Sequence, residues 1–191
     1  MADQFKAKDG RTVVIRKPRL EDLDGLLELV NSAVREGAPI NRMTELSRTE
    51  EIEFLPKRLA EIERGDTIQI IAEVEGELVG NAEIRRHVGR QSHVGTMGLV
   101  VKSGFRRIGI GARLIEELIG EGKKQGLKII TLQVNETNLP AITLYRKLGF
   151  KETGRIPKAV YWNEKYVDDI IMVISIQVSA RQFLFLQQQS L

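Results

Sequence analysis

The strongest constraint on this chain is the order of three adjacent segments. Met97 to Val101 is an apolar run, Arg106-Arg107-Ile108-Gly109-Ile110-Gly111-Ala112 is a glycine turn, and Ala112 to Gln125 is amphipathic. That order reads as strand, tight turn, helix. Glycines at 109 and 111 let a backbone come close to a ligand, because no Cβ stands in the way. Free N–H groups at the helix start then point at that ligand, and the helix dipole favours an anion there. Arg106 and Arg107 add fixed positive charge. The segment therefore predicts a pyrophosphate site.

Two common phosphate loops fit it badly. In a dinucleotide fingerprint counted from Gly109, the third glycine position holds Leu114, and the stretch from Val101 to Gly109 is long for the first turn of such a unit. No Gly-Lys-Ser/Thr follows, as a nucleoside-triphosphate loop requires. A second segment lies downstream, from Asn138 to Phe150. Asn138 is a good helix N-cap, and Pro140 is tolerated in a first turn. Ala141, Leu144, Tyr145 and Leu148 fall on one helical face. Gly149 is placed to end the helix in a left-handed conformation, with Phe150 opening the next strand.

Together, Arg106-x-x-Gly109-x-Gly111 and Asn138-x-x-Ala141-x-x-Leu144-Tyr145-x-x-x-Gly149-Phe150 resemble the two signatures of the GNAT N-acetyltransferase superfamily, in the right order. The resemblance covers roughly residues 12 to 176. The ending, Gly154-Arg155-Ile156-Pro157-Lys158-Ala159 and then Asn163 to Asp169 with Met172, is similar to the closing hairpin of bacterial and archaeal members, among them enzymes acting on amino acids or small amines. Ser92-His93-Val94 is similar to that group as well.

Composition agrees with one soluble enzyme domain. The chain has 191 residues, 42% of them hydrophobic, enough for a core. No apolar stretch approaches a membrane span, and Met1-Ala2-Asp3-Gln4 carries no signal pattern, so a cytoplasmic protein with no membrane partner is expected. The absence of cysteine excludes disulfides, thiolate metal sites and a cysteine nucleophile. Two histidines leave little for a metal centre, and no metal is expected. The net charge of +3 comes from 29 basic and 26 acidic residues that are interspersed. Nothing resembles a nucleic-acid-binding stripe.

The pattern along the chain is a continuous α/β one without repeats. Thr12 to Arg16 reads as a strand. Leu20, Leu23, Leu26, Leu27, Val30 and Val34 have helical periodicity up to about Glu36, and Gly37-Ala38-Pro39 breaks it. Ser47 and Glu50 suggest a capping box for a short helix, with Pro56 interrupting it or starting a new one that ends near Gly65. Thr67 to Val74 and Leu78 to Arg86 read as a hairpin around Glu75-Gly76-Glu77. His93 to Val101, Ile129 to Val134, Phe150 to Gly154 and Val167 to Ile176 complete the strands. Antiparallel strands followed by β-α-β-α-β predict an α/β (α+β) fold, a mixed, mostly antiparallel sheet with helices on both faces. Residues 1–178 are expected to form the single domain. Residues 179–191, with Phe183-Leu184-Phe185-Leu186 and three glutamines, form a tail of uncertain structure.

The resemblance implies acetyl-CoA as cosubstrate and a small-molecule primary amine as acceptor. Direct attack on a thioester needs a base for the amine, a donor for the carbonyl oxygen and an acid for the thiolate. By resemblance, the backbone of Leu99, Val100 and Val101 pairs with the pantetheine arm, and one of those amides polarises the carbonyl. The loop of Arg106, Arg107, Ile108, Gly109, Ile110, Gly111 and Ala112 wraps the pyrophosphate. Asn138 hydrogen-bonds the cofactor, and Tyr145 stands where the family's general acid stands. A phenol pKa near 10 suits protonating a thiolate.

The base departs from the family's patterns. Gln133 fills the position where N-terminal acetyltransferases often carry a glutamate, and Met97 the position of the glutamate in a branch acting on herbicide-like amines. Glu83, Glu136, His87 and His93 remain, and Glu83, on the strand beside the central one, is preferred. Arg85-Arg86 could meet a substrate carboxylate, although a strand-end pair is usually solvated. Tyr161 and Trp162 suit either the substrate pocket or a homodimer contact. Three readings follow: an N-acetyltransferase for small amines, with an amino acid first among them; an acetyltransferase for protein N-termini or lysines; and a non-catalytic acyl-CoA sensor.

Overall fold

The computed structural model describes residues 3–40 and 42–176. Eight strands form one sheet: β1 (Asp3–Lys6), β2 (Thr12–Arg16), β3 (Thr67–Val74), β4 (Glu77–Arg86), β5 (Val94–Val101), β6 (Ile129–Asn135), β7 (Lys151–Trp162) and β8 (Lys165–Ser175). Their spatial order is β1-β2-β3-β4-β5-β6-β8-β7. Every neighbouring pair is antiparallel except β5 and β6. The helices are α1 (Leu23–Arg35), α2 (Arg48–Arg64), α3 (Ile110–Lys124) and α4 (Leu139–Lys147). Among the described residues no helix is long and apolar enough to cross a membrane.

Strand β3 shows why helices cover both faces. Its side chains alternate, and nearly all are buried, as a strand covered on both faces requires. Ile68, Ile70, Ala72 and Val74 join Ile110, Leu114, Ile115 and Leu118 of α3, and Ile142 and Tyr145 of α4, in the larger core. Ile71 points the other way and meets Leu26 of α1, Leu55 of α2 and Leu78. The expected mixed, mostly antiparallel sheet is therefore present, with α3 and α4 on one face and α1 and α2 on the other.

Three features differ from the sequence reading, and a fourth, the strand order at the far edge, lies beyond it. Strand β1 precedes the first expected strand. It is short and lies at the sheet edge, with Phe5 as its one apolar side chain, which packs on the core. Helix α2 is a single 17-residue helix, and Pro56 lies inside it without ending it. The capping box of Ser47 and Glu50 is present and Gly65 closes the far end at φ +78°. Leu55 and Leu59 anchor α2 to the smaller core. Pro56 and Ile52, whose carbonyl loses its i+4 donor, are both exposed, so that carbonyl is left on the solvent side of the helix. The closing hairpin is also longer than expected. Asn163 and Glu164 both have positive φ, as the two central residues of a type I′ turn do. Finally, β8 lies between β6 and β7. The tail from Ser179 onward falls outside the described residues.

Candidate active site

The site begins where two strands part. The parallel ladder between β5 and β6 runs only over Val94↔Ile129, Gly95↔Ile130 and Thr96↔Thr131. Beyond Thr96, β5 continues to Val101 paired with β4 alone, and β6 continues paired with β8. On the β6-facing edge from Met97 to Val101 the backbone of Leu99 is thus open to an extended chain as an added strand, with Val100 turned to β4 and the Val101 carbonyl taken up by Arg106. Along β5, Met97, Leu99 and Val101 pack on the α3 side. Thr96 and Gly98 alternate to the other face and are exposed.

The glycine turn stands at the open end of this split. Gly109 is the N-cap of α3, with φ +102°, a conformation that a residue with Cβ adopts only under strain. No side chain caps the helix, so its first N–H groups are open to an anion. A Cβ at Gly111 would lie 3.4 Å from Leu144 of α4, 3.6 Å from Leu99 and 3.7 Å from Val101. Gly111 thus sits where the start of α3 meets β5 and α4, and its missing Cβ lets them approach closely. Arg107, also at positive φ, is exposed, and its guanidinium meets no partner among the described residues. Arg106 is engaged differently: it donates to the Val101 carbonyl at 2.8 Å and forms an ion pair with Glu36, the residue that ends α1. Ile108 packs on the core, whereas Ile110 is fully buried in it, so these two contribute backbone and not side chain to the turn.

Helix α4 forms the other wall. Asn138 Oδ1 accepts from the Ala141 amide at 3.3 Å, the N-cap role expected of it. Gly149 takes φ +94° after the last turn. Tyr145 is 7% exposed and its ring packs 5.8 Å from that of Phe150. Its hydroxyl meets no hydrogen-bond partner among the described residues. Burial pushes the phenol up to about 12. The proton therefore stays on Tyr145 at any ordinary pH, and its hydroxyl is a hydrogen-bond donor there.

The face opposite α3 carries Glu83, the preferred base candidate. Glu83 lies across the ladder from Gly98, and a Cβ on Gly98 would sit 3.7 Å from Glu83 Cγ. The missing side chain leaves a notch beside that carboxylate. Glu83 is held on two sides, by Arg58 of α2 and by Arg85 at 3.0 Å. Neither Arg58 nor Glu51 is singled out by the sequence, because each reads as a solvated helix charge. Their role appears only when α2 crosses the sheet. Glu51 lies in the field of Arg58 and Arg42, and burial raises its carboxyl above the usual range.

The other base candidates fall elsewhere. Met97 is buried in the core, and Gln133 is exposed on β6. Glu136 caps the closing hairpin, accepting from the Asp168 amide at 2.9 Å. His93 is exposed, and among the described residues it bonds through its backbone carbonyl, to Lys128 and Ile129. His87 Nε2 stands 2.8 Å from Thr96 Oγ1 at the foot of the split. Arg86 ties down the Gly65, Ser92 and Gln125 carbonyls, so of the arginine pair only Arg85 faces the notch.

A parted parallel pair beside an uncapped helix start is one of several ways to hold a phosphate-bearing chain. The model of the acetyltransferase (GNAT) family matches residues 33–150. An N-alpha-acetyltransferase of Sulfurisphaera tokodaii is 30% identical over 77% of this chain and 85% of its own length. An L-methionine sulfoximine/L-methionine sulfone acetyltransferase of Pseudomonas aeruginosa is 25% identical over 85% of this chain and 94% of its own. Among solved structures, a phosphinothricin acetyltransferase from Sinorhizobium meliloti in complex with acetyl-CoA superposes with a TM-score of 0.77, at 20% identity, covering 88% of this chain and 91% of that one. The chain belongs to the GNAT family of acetyltransferases.

Proposed function

We propose that this chain transfers the acetyl group of acetyl-CoA to the primary amine of a small molecule, an amino acid first among the candidates. The observation that carries this reading is the end of the β5–β6 ladder at Thr96↔Thr131, which leaves a free strand edge beside the uncapped start of α3. The split fits the cosubstrate in two respects. The edge at Leu99 can pair with the amides of a pantetheine arm, and the amides of Gly109 to Ala112 with the unpaired Arg107 can meet a pyrophosphate. Arg106 reaches the same phosphates once it leaves Glu36.

Acetyl-CoA supplies an activated acyl group that an amine can attack directly. The chain's own groups do the rest. The amide of Leu99 or Val101 donates to the carbonyl oxygen as charge grows there. Glu83, at the Gly98 notch, attracts the ammonium and takes its proton. Tyr145 donates to the sulfur as it leaves. Because its phenol is pushed up to about 12, Tyr145 works first as a hydrogen-bond donor to the thiolate. Asn138, beyond capping α4, keeps its Nδ2 for the cofactor. Arg58 and Arg85, flanking Glu83, suit an acceptor that carries a carboxylate beside its amine, and the likeness to the methionine sulfoximine enzyme supports the same class.

The test is release of CoA, followed with a thiol reagent, against amino acids, polyamines and short peptides. The chain has no cysteine, so the protein adds no background. Turnover of free amino acids above the other classes is the expected result. Turnover of peptides with free N-termini and not of amino acids would replace this reading with the one favoured by the likeness to the Sulfurisphaera N-alpha-acetyltransferase. Bound acetyl-CoA with no turnover of any amine would point to a sensor.

A further inference from the structure

The loop between β5 and α3 has few bonds of its own. Gly104, Arg107 and Gly109 have φ of +81°, +64° and +102°, so it takes a shape that neither strand nor helix stabilises. Within the loop, the Phe105 amide donates to the Lys102 carbonyl and Arg106 to that of Val101. Lys102 at its start is tied to the Val79 carbonyl and to Glu77, and Arg106 pairs with Glu36; the backbone from Gly104 to Ile108 is otherwise held by the N-terminal hairpin, far away in sequence. In the turn between β1 and β2, the Lys8 amide donates to the Ile108 carbonyl at 3.0 Å. Arg11 Nη2 donates to the Gly104 carbonyl at 3.2 Å, and its guanidinium carbon stands 4.4 Å from the centre of the Phe105 ring. Asp9 aims that side chain through a 2.7 Å bond to Nε. Asp3 pairs with Arg113 in the first turn of α3. Ala7, buried, and Phe5 fasten the hairpin to the core.

We propose that this N-terminal hairpin is a positioning element of the cofactor site, and that Arg11 is the residue that holds the phosphate loop in its binding shape. The inference rests on the acetyl-CoA reading above. In a planar trans peptide the C=O and the following N–H point in opposite directions. Fixing the Ile108 carbonyl toward the hairpin therefore turns the Gly109 N–H away from it, to the side where the anion binds. Clamping Gly104 and Phe105 at the other end of the loop keeps that peptide from rotating back. Arg11 touches no substrate. It acts through Gly104 and Phe105, and so affects the phosphate end of the cosubstrate and not the acyl transfer.

Wild type, Arg11→Ala and Arg11→Lys are compared with acetyl-CoA and with S-acetylpantetheine, a thioester that lacks the phosphates. CoA affinity is read by calorimetry alongside KM and kcat. In Arg11→Ala the Kd for CoA and the KM for acetyl-CoA should rise about tenfold, the loss of one charge-assisted bond and one ring contact. Its kcat, its KM for the amine and its kcat/KM for S-acetylpantetheine should stay within about twofold of wild type. Arg11→Lys, which keeps a cation over Phe105 and one donor, should recover part of the loss. An unchanged KM for acetyl-CoA would overturn the proposal. So would an equal loss with S-acetylpantetheine, since general damage to the fold spares neither substrate. Wild-type protein that binds no CoA would overturn the acetyl-CoA reading itself, and this proposal with it.

Discussion

At the scale of single residues, Tyr145 and Gly109 show how local environment sets the chemistry. A phenol pushed up to about 12 by burial does not ionise in the working range, so it imposes no alkaline limb on the rate. Tyr145→Phe should lower kcat by on the order of 10²-fold with little change in KM for acetyl-CoA, and leave the shape of the pH–rate profile alone; an unchanged kcat would remove the donor role. The same shift has a sign for stability. Below the usual phenol value near 10 both the folded and the unfolded chain keep the proton, so this group adds no pH dependence to stability. Between there and about 12 the unfolded chain ionises first, so folding weakens as pH rises. At Gly109, φ +102° makes any side chain costly. Gly109→Ala should destabilise by about 1 kcal/mol and raise the KM for acetyl-CoA, measured by denaturant titration and initial rates.

At the scale of elements, α2 brings an acidic capping box, an internal proline and the arginine that holds Glu83 into one helix. Ser47 accepts from the Glu50 amide, and Glu50 accepts in return from that of Ser47. Ser47→Ala should cost about 1 kcal/mol, a fall of roughly 3 °C in Tm for a chain of this size. Pro56→Ala should act oppositely, because it restores an N–H to the Ile52 carbonyl in an exposed turn. A calorimetric scan of each variant decides between these signs; a fall in Tm for Pro56→Ala would mean that Pro56 shapes the approach of α2 to the sheet. Either change reaches activity only through Arg58, so kcat should move less than Tm.

At the scale of the whole molecule, the two faces of the sheet do different work. One face is closed by α3 and α4 and holds the larger core, and the other leaves Glu83 and the Gly98 notch open beneath α1 and α2. The edge far from the split is tied by Arg16, which bridges Asp22 at 2.7 Å and Glu73 at 2.9 Å. Burial alone would raise the Asp22 carboxyl, but the Arg16 guanidinium and the Arg19 amide outweigh it and hold the group below the usual carboxylate range. Its contribution to stability is therefore complete above the ordinary value near 4 and is lost as pH falls through the lower folded value. Asp22→Asn should lower Tm at neutral pH, and the gap to wild type should narrow as pH is taken down toward about 3. A gap that is constant with pH would mean that Asp22 acts by its hydrogen bonds and not by its charge.

Much of this was legible in the sequence because the informative signals are local. The turn at Gly109, the cap at Asn138, the left-handed Gly149 and the face carrying Tyr145 follow from the φ, hydrogen-bond and periodicity demands of neighbouring residues, and so do most strand bounds. The type I′ turn was harder to read, since Asn163-Glu164 lacks the glycine that usually marks it. What only the tertiary structure decided is long-range pairing. The insertion of β8 between β6 and β7, and the end of the β5–β6 ladder at Thr96↔Thr131, depend on which backbone edges meet, and no local pattern encodes that. The same holds for the side chains whose partners are distant in the chain: Arg58 on Glu83, Glu36 on Arg106, and Arg11 on the loop at Gly104. A charged residue reads as solvated until folding brings its partner to it.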